Sequence, residues 1–121
     1  MRIGLFGGSF DPVHRGHLLL ADCCLHQAKL DRVEFMPTAQ HPLKPHGPVA
    51  SDEDRVAMLR LAIADQLAFA VSLVELERGG VSYTAETLRQ LRGQRPDDKF
   101  YFLMGADSLN DFPTWREPQV I

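Results

Sequence analysis

Apolar and polar positions follow two rhythms along this chain, one strand-like and one helical, and the two take turns. From Arg2 to Phe6 the residues are mostly apolar, which predicts a short strand covered on both faces. Leu18, Ala21, Leu25 and Ala28 then recur at helical spacing, with Asp22, His26 and Lys29 on other faces, predicting a helix from about Gly16 to Lys29. Arg32 to Met36 reads as a second strand. Further on, Ser51 with Asp54 three residues later looks like a helix N-cap, and Asp52 and Glu53 suit the positive end of the helix dipole. Val56, Leu59 and Ile63 make the buried stripe of that helix, which should reach about Asp65. Phe69 to Leu76 is mostly apolar and predicts a third strand, broken by Gly79-Gly80. A helix from about Thr84 to Leu91 follows, with Leu88 and Leu91 facing inward and Gly93 and Pro96 beyond its end. Lys99 to Met104 predicts a fourth buried strand, and Pro113 and Trp115 precede a further helix start.

Strands alternating with helices predict an α/β fold, a Rossmann-like doubly wound parallel sheet with right-handed crossovers. Ligands of such sheets sit beyond the carboxyl ends of the strands. The loop after Phe6, the loop after Met36, the Ser82-Tyr83-Thr84 turn and Gly105-Ala106-Asp107 all lie near such ends and can converge on one site. The 121 residues make a single domain, 1–121, without repeats or an interdomain linker.

A net charge of −3 and a pI near 5.9 leave no basic stripe for a nucleic-acid polymer, while a small phosphorylated ligand needs only local positive potential. Cys23 and Cys24 are adjacent on a predicted helix, badly placed to bond each other, and fit a reducing compartment as small apolar residues. Met1 leads straight into a strand without the features of a signal peptide, and no apolar run approaches the roughly 20 residues of a membrane span. These features point to a cytoplasmic protein with no membrane partner.

The chemistry concentrates in Gly7-Gly8-Ser9-Phe10-Asp11-Pro12-Val13-His14-Arg15-Gly16-His17. Two glycines let the backbone approach a ligand closely. The helix that follows should offer unpaired N–H groups and a partial positive charge, which together make a phosphate site. His14 and His17 are three apart, so both face the same side of the first turn. Gly16 between them should leave room for a ligand against the turn. Neither the Gly-Lys-Ser/Thr of a Walker loop nor the third glycine of a dinucleotide fingerprint is present.

The stretch resembles the Gly-x-Phe-x-Pro-x-His-x-Gly-His signature of the nucleotidyltransferase superfamily, with Gly8, Phe10, Pro12, His14, Gly16 and His17 matching. Ser82-Tyr83-Thr84 with Glu86-Thr87-Leu88, then Gly105-Ala106-Asp107-Ser108-Leu109 and Pro113-Thr114-Trp115, extend the resemblance to the bacterial nicotinate-nucleotide adenylyltransferases. That resemblance implies transfer of AMP from ATP, with Mg²⁺, to nicotinate mononucleotide, releasing pyrophosphate. It implies a catalytic role for His14 and His17, and an ATP site made of these with Gly7, Gly8, Ser9, Phe10, Gly16, Lys44, Gly105 and Asp107. Tyr83 and Thr84 would meet the nicotinate end and Trp115 would stack on its ring, a match of indole face to pyridinium that cation–π attraction favours. No protein-held metal is implied, and a homo-oligomer is compatible with it.

Two departures stand out. Within the proline-rich segment from Pro37 to Val49 the family has Pro-Pro-His-Lys where this chain has His41-Pro42-Leu43-Lys44, with His46 nearby. By itself that segment reads equally as a lid over phosphates or as a stiff solvated loop. The family also continues to an Ile-Ser-Ser-Thr-x-x-Arg motif that grips ATP, whereas this sequence ends at Ile121, so the sheet is expected to be incomplete at the C-terminus. Two other readings follow: a catalytically impaired nucleotide-binding fragment, and a related transferase acting on another phosphate monoester such as phosphopantetheine.

Overall fold

The computed structural model describes residues 1–8, 10, 13–38, 51–78 and 84–103. In order they form β1 (Arg2–Gly8), α1 (Arg15–Gln27), β2 (Arg32–Pro37), α2 (Asp52–Ile63), β3 (Phe69–Val71), α3 (Val74–Arg78), α4 (Thr84–Gln94) and β4 (Lys99–Phe102). The strands make one parallel sheet in the order β3-β2-β1-β4. Ile3 lies opposite Arg32 on one side and Phe100 on the other, and Leu5 opposite Glu34 and Phe102.

The two-residue period of a strand sorts the side chains onto two faces. Phe6, Val33, Phe35 and Leu103 point to one and pack with Ala21 and Leu25 of α1 and Leu59 and Ile63 of α2. Ile3 and Leu5 point to the other, with Phe100 and Phe102, and meet Leu88 and Leu91 of α4. Helices therefore cover both faces, as a doubly wound sheet requires.

The element ends have local causes. Ser51 Oγ accepts the Asp54 amide at 3.1 Å and starts α2. At the end of α1 the Leu30 amide donates to the Leu25 carbonyl and the Lys29 amide to that of His26, the Schellman pattern. Lys29 takes the left-handed conformation there, φ 54°, where glycine is usual. Arg2 closes the same end by donating to the carbonyls of Ala28 at 2.6 Å and Lys29 at 3.1 Å.

Two expectations are corrected. The apolar run Phe69–Leu76 is a strand only to Val71, and Val74–Arg78 is a helix. Helical spacing is what lets both Glu75 and Arg78 reach Thr87 of α4: the Thr87 hydroxyl donates to Glu75 at 2.9 Å and accepts from Arg78 at 2.7 Å. In α2, Leu59 and Ile63 are buried as expected, but Val56 is only half-buried, and its neighbour Arg55 has no exposed surface at all. The Arg55 guanidinium donates to the Thr38 carbonyl at 2.7 Å and to Asp52, so the buried charge is held by polar partners.

Candidate functional site

The strand order locates a site before any side chain is considered. From β1 the chain steps to β2 and β3 on one side, then returns to place β4 on the other side of β1. The carboxyl ends of β1 and β4 therefore flank the point where the winding reverses, the position at which open α/β sheets bind ligands. The histidine pair follows β1 directly.

Phe10 makes the turn out of β1. Its φ of 48° is left-handed, a conformation that costs an ordinary residue about 1–2 kcal/mol. Its ring is 2 % exposed and meets Phe6 at 5.4 Å, Phe35 at 5.6 Å and His17 at 5.0 Å between centroids. Aromatic burial thus offsets the backbone strain, and the Phe10 ring ties the end of β1 to His17. Gly8 lies against that ring: a Cβ there would sit 3.5 Å from it, and the Gly8 carbonyl accepts the Thr38 amide at 3.0 Å, tying the ends of β1 and β2 together.

His14 is the N-cap of α1 and His17 is its third helical residue. His14 Nδ1 accepts the Gly16 amide at 3.1 Å, and His17 Nδ1 accepts the His14 amide at 3.0 Å. Two histidines thus perform the reciprocal capping more often made by Ser or Thr with Glu. Their rings stack at 3.7 Å between centroids, 24° from parallel. Because each Nδ1 accepts, the neutral rings are assigned the tautomer with the proton on Nε2. Burial against Phe6 and Phe10, and then the neighbouring His14, hold the His17 pKa below the ordinary 6.5.

This geometry revises two expectations. The first turn does not leave the Gly16 and His17 amides open, since the first serves the His14 ring and the second the His14 carbonyl. The space above Gly16 is filled by that same ring: a Cβ at Gly16 would lie 2.9 Å from His14 Cε1. Gly16 is required by the cap, and the turn can present the two imidazole Nε2–H groups to an anion.

Of the remaining predicted site residues, Gly7 is the penultimate residue of β1 at a half-buried position, and Thr84 begins α4. Ser9, Lys44, Tyr83, Gly105, Asp107 and Trp115 lie outside the described residues, as do His41, Leu43 and His46. Periodicity missed the polar groups that brace the site. Arg55 pins Thr38, the residue from which the proline-rich segment departs. Glu75, Arg78 and Thr87 join α3 to α4. A pattern search scores such charges as solvent-facing, and nothing in their spacing marks them as buried. Among the described residues no cluster of three His, Cys, Asp or Glu side chains is arranged to hold a metal. The donor set here, the imidazole N–H groups, suits anionic oxygens rather than a metal ion.

The profile of a family described as cytidylyltransferase-like matches residues 5–121. A protein of Rhodopirellula baltica named "Probable nicotinate-nucleotide adenylyltransferase" is 51 % identical over 119 residues, which is 98 % of this chain and 56 % of that protein. A like-named protein of Citrifermentans bemidjiense is 47 % identical over 121 residues, again 56 % of its length. The chain spans about half the length of the curated relatives it matches. Among solved structures, a nicotinic acid mononucleotide adenylyltransferase of Plasmodium falciparum complexed with NaAD superposes with a TM-score of 0.80 at 22 % identity, covering 98 % of this chain and 58 % of that one. At that identity the likeness speaks for the fold.

Proposed function

The chain belongs to the cytidylyltransferase-like family, and from that premise we propose that it forms the nucleotide-binding part of a nicotinate-nucleotide adenylyltransferase. A phosphate oxygen of nicotinate mononucleotide attacks the α-phosphorus of ATP in line. The bond from the α-phosphorus to the bridging oxygen breaks, and pyrophosphate leaves with that electron pair. No protein nucleophile takes part, because such transfers run on positioning and electrostatic stabilisation. His14 and His17 donate to the phosphates, Gly7 and Gly8 let them approach, Gly16 makes room for the His14 ring that caps the helix, and Mg²⁺ travels with ATP. Ser9, Lys44, Gly105 and Asp107 complete the ATP side, and Tyr83, Thr84 and Trp115 the nicotinate side.

The observation that carries this reading is the mutually capped histidine pair at the sheet's switch point. The names borne by relatives about half identical over nearly the whole chain support the acceptor. Pyrophosphate release by the full-length protein, measured with ATP and either nicotinate mononucleotide or phosphopantetheine, tests it. Release with the first acceptor alone is expected, and release with the second alone would replace the proposed substrate. His17→Ala should lower the rate by roughly 10²-fold or more, as removal of a preorganised donor does. Near-wild-type turnover would remove His17 from the mechanism.

A further inference from the structure

Two imidazoles beside a triphosphate invite a reading as imidazolium cations, but the hydrogen bonds around them oppose it. Protonation of His17 would place a hydrogen on Nδ1, facing the His14 amide that it now accepts from 3.0 Å away. The cap bond would become a clash of two donors. Before any nucleotide binds, what would stabilise a cation here is a carboxylate, and among the described residues none pairs with either ring. Among the described residues, the groups facing the His17 ring are Phe6 from β1, Phe10 and His14, stacked at 3.7 Å. His14 is the titratable one of the three, and a charge on it would repel a second. Arg15, the next residue of α1, is exposed and its positive charge also disfavours an imidazolium.

We infer that His14 and His17 act as a neutral pair, each ring held by Nδ1 in the cap of α1 and offering Nε2–H to the nucleotide phosphates, so that acid disarms the site by uncapping the helix rather than arming it with charge. The inference rests on the adenylyl-transfer reading for the identity of the anion; the tautomers and the cap stand on geometry alone. The pair is a proton sensor of the opposite sign to a cationic phosphate site.

Nitrogen-15 spectra of the histidine-labelled full-length protein, with ATP titrations at several pH values, test this directly. Near pH 7.5 both rings should be neutral with the proton on Nε2, and the His14 amide signal should move as His17 titrates. His17→Asn keeps an acceptor at the Nδ1 position but loses both the Nε2 donor and the titration. The ratio of wild-type to variant ATP affinity therefore cancels the protonation of ATP itself. That ratio should fall on the order of tenfold between about pH 7.5 and about pH 5, the worth of one hydrogen bond to a charged group. A ratio that rises in acid, a proton on Nδ1 of either neutral ring, or an imidazolium near pH 7.5 overturns the neutral pair. Correct tautomers without ATP binding at any pH would instead overturn the nucleotide reading, and the donor role with it.

Discussion

Gly16 has a role that depends on the ring of another residue. A Cβ at this position would meet His14 Cε1 at 2.9 Å and Nδ1 at 3.0 Å, so Gly16→Ala would swing the imidazole off the helix end. Losing the cap costs about 1 kcal/mol, while alanine gains up to about 1 kcal/mol over glycine within a helix. The two nearly cancel. The variant should melt within a few degrees of wild type, yet bind ATP on the order of tenfold more weakly as its phosphate donor is misplaced. A calorimetric melt and an ATP titration on the same sample check both halves. A large drop in melting temperature with unchanged affinity would assign Gly16 to folding alone. The glycine itself was legible from its spacing; that it serves a histidine ring was not, because a stacked pair is invisible in a linear pattern.

At the level of elements, α1 ends under strain that a single change relieves. Lys29 holds φ 54° in a position that glycine occupies without a Cβ penalty. Lys29→Gly should therefore raise stability by about 1 kcal/mol, read as an increased denaturant midpoint at unchanged slope. No increase would mean that the strain is absorbed by the Arg2 contacts to the Ala28 and Lys29 carbonyls. On the other face of the sheet, Glu34 of β2 is 5 % exposed and accepts both Nη groups of Arg95, at 3.1 and 2.9 Å, with Arg32 at 2.7 Å. Arg95 just follows α4, so this pairing clips the helix layer to the sheet. Arg95→Met should cost about 3 kcal/mol, the lower end for breaking a buried pair, since Arg32 remains. Glu34→Leu combined with Arg95→Met should recover much of that loss. A double variant no more stable than Arg95→Met would show the pair to be worth more than its desolvation.

At the scale of the whole molecule, two buried or half-buried groups of the described residues shape its stability in acid. Burial opposes ionisation of Glu34, but the hydrogen bonds and charges of Arg95 and Arg32 outweigh it and hold its pKa below the ordinary 4.5. Its contribution is present above that value and lost as pH falls through the depressed one. Burial and then His14 hold His17 below 6.5. In that case the unfolded chain binds the proton first, so stability declines as pH falls from 6.5 toward the folded value. Melting temperature should therefore decline gently below about pH 6.5 and more steeply below about pH 4.5. Glu34→Gln should flatten the lower limb and His17→Asn the upper. A profile that is level from neutrality to about pH 4 would contradict the His17 assignment, and one still level to about pH 2 the Glu34 assignment.

Short-range pattern determined a good deal of this protein. The order of strands and helices apart from α3, the faces of α1 and α4, the Ser51 cap and the turn bearing His14, Gly16 and His17 all follow from contacts within a few residues, where periodicity and capping chemistry are directly readable. Tertiary structure decided the rest. Phe69–Leu76 is apolar enough for a strand throughout, and it becomes a helix after Val71 because Glu75 and Arg78 find Thr87 in α4. Glu34 is tolerated inside the sheet because Arg95, 61 residues away, neutralises it. Arg55 is buried because a backbone carbonyl, that of Thr38, awaits it beyond β2. A lone charge in sequence carries a desolvation cost that forbids burial, and only the folded chain supplies the distant partner that removes it.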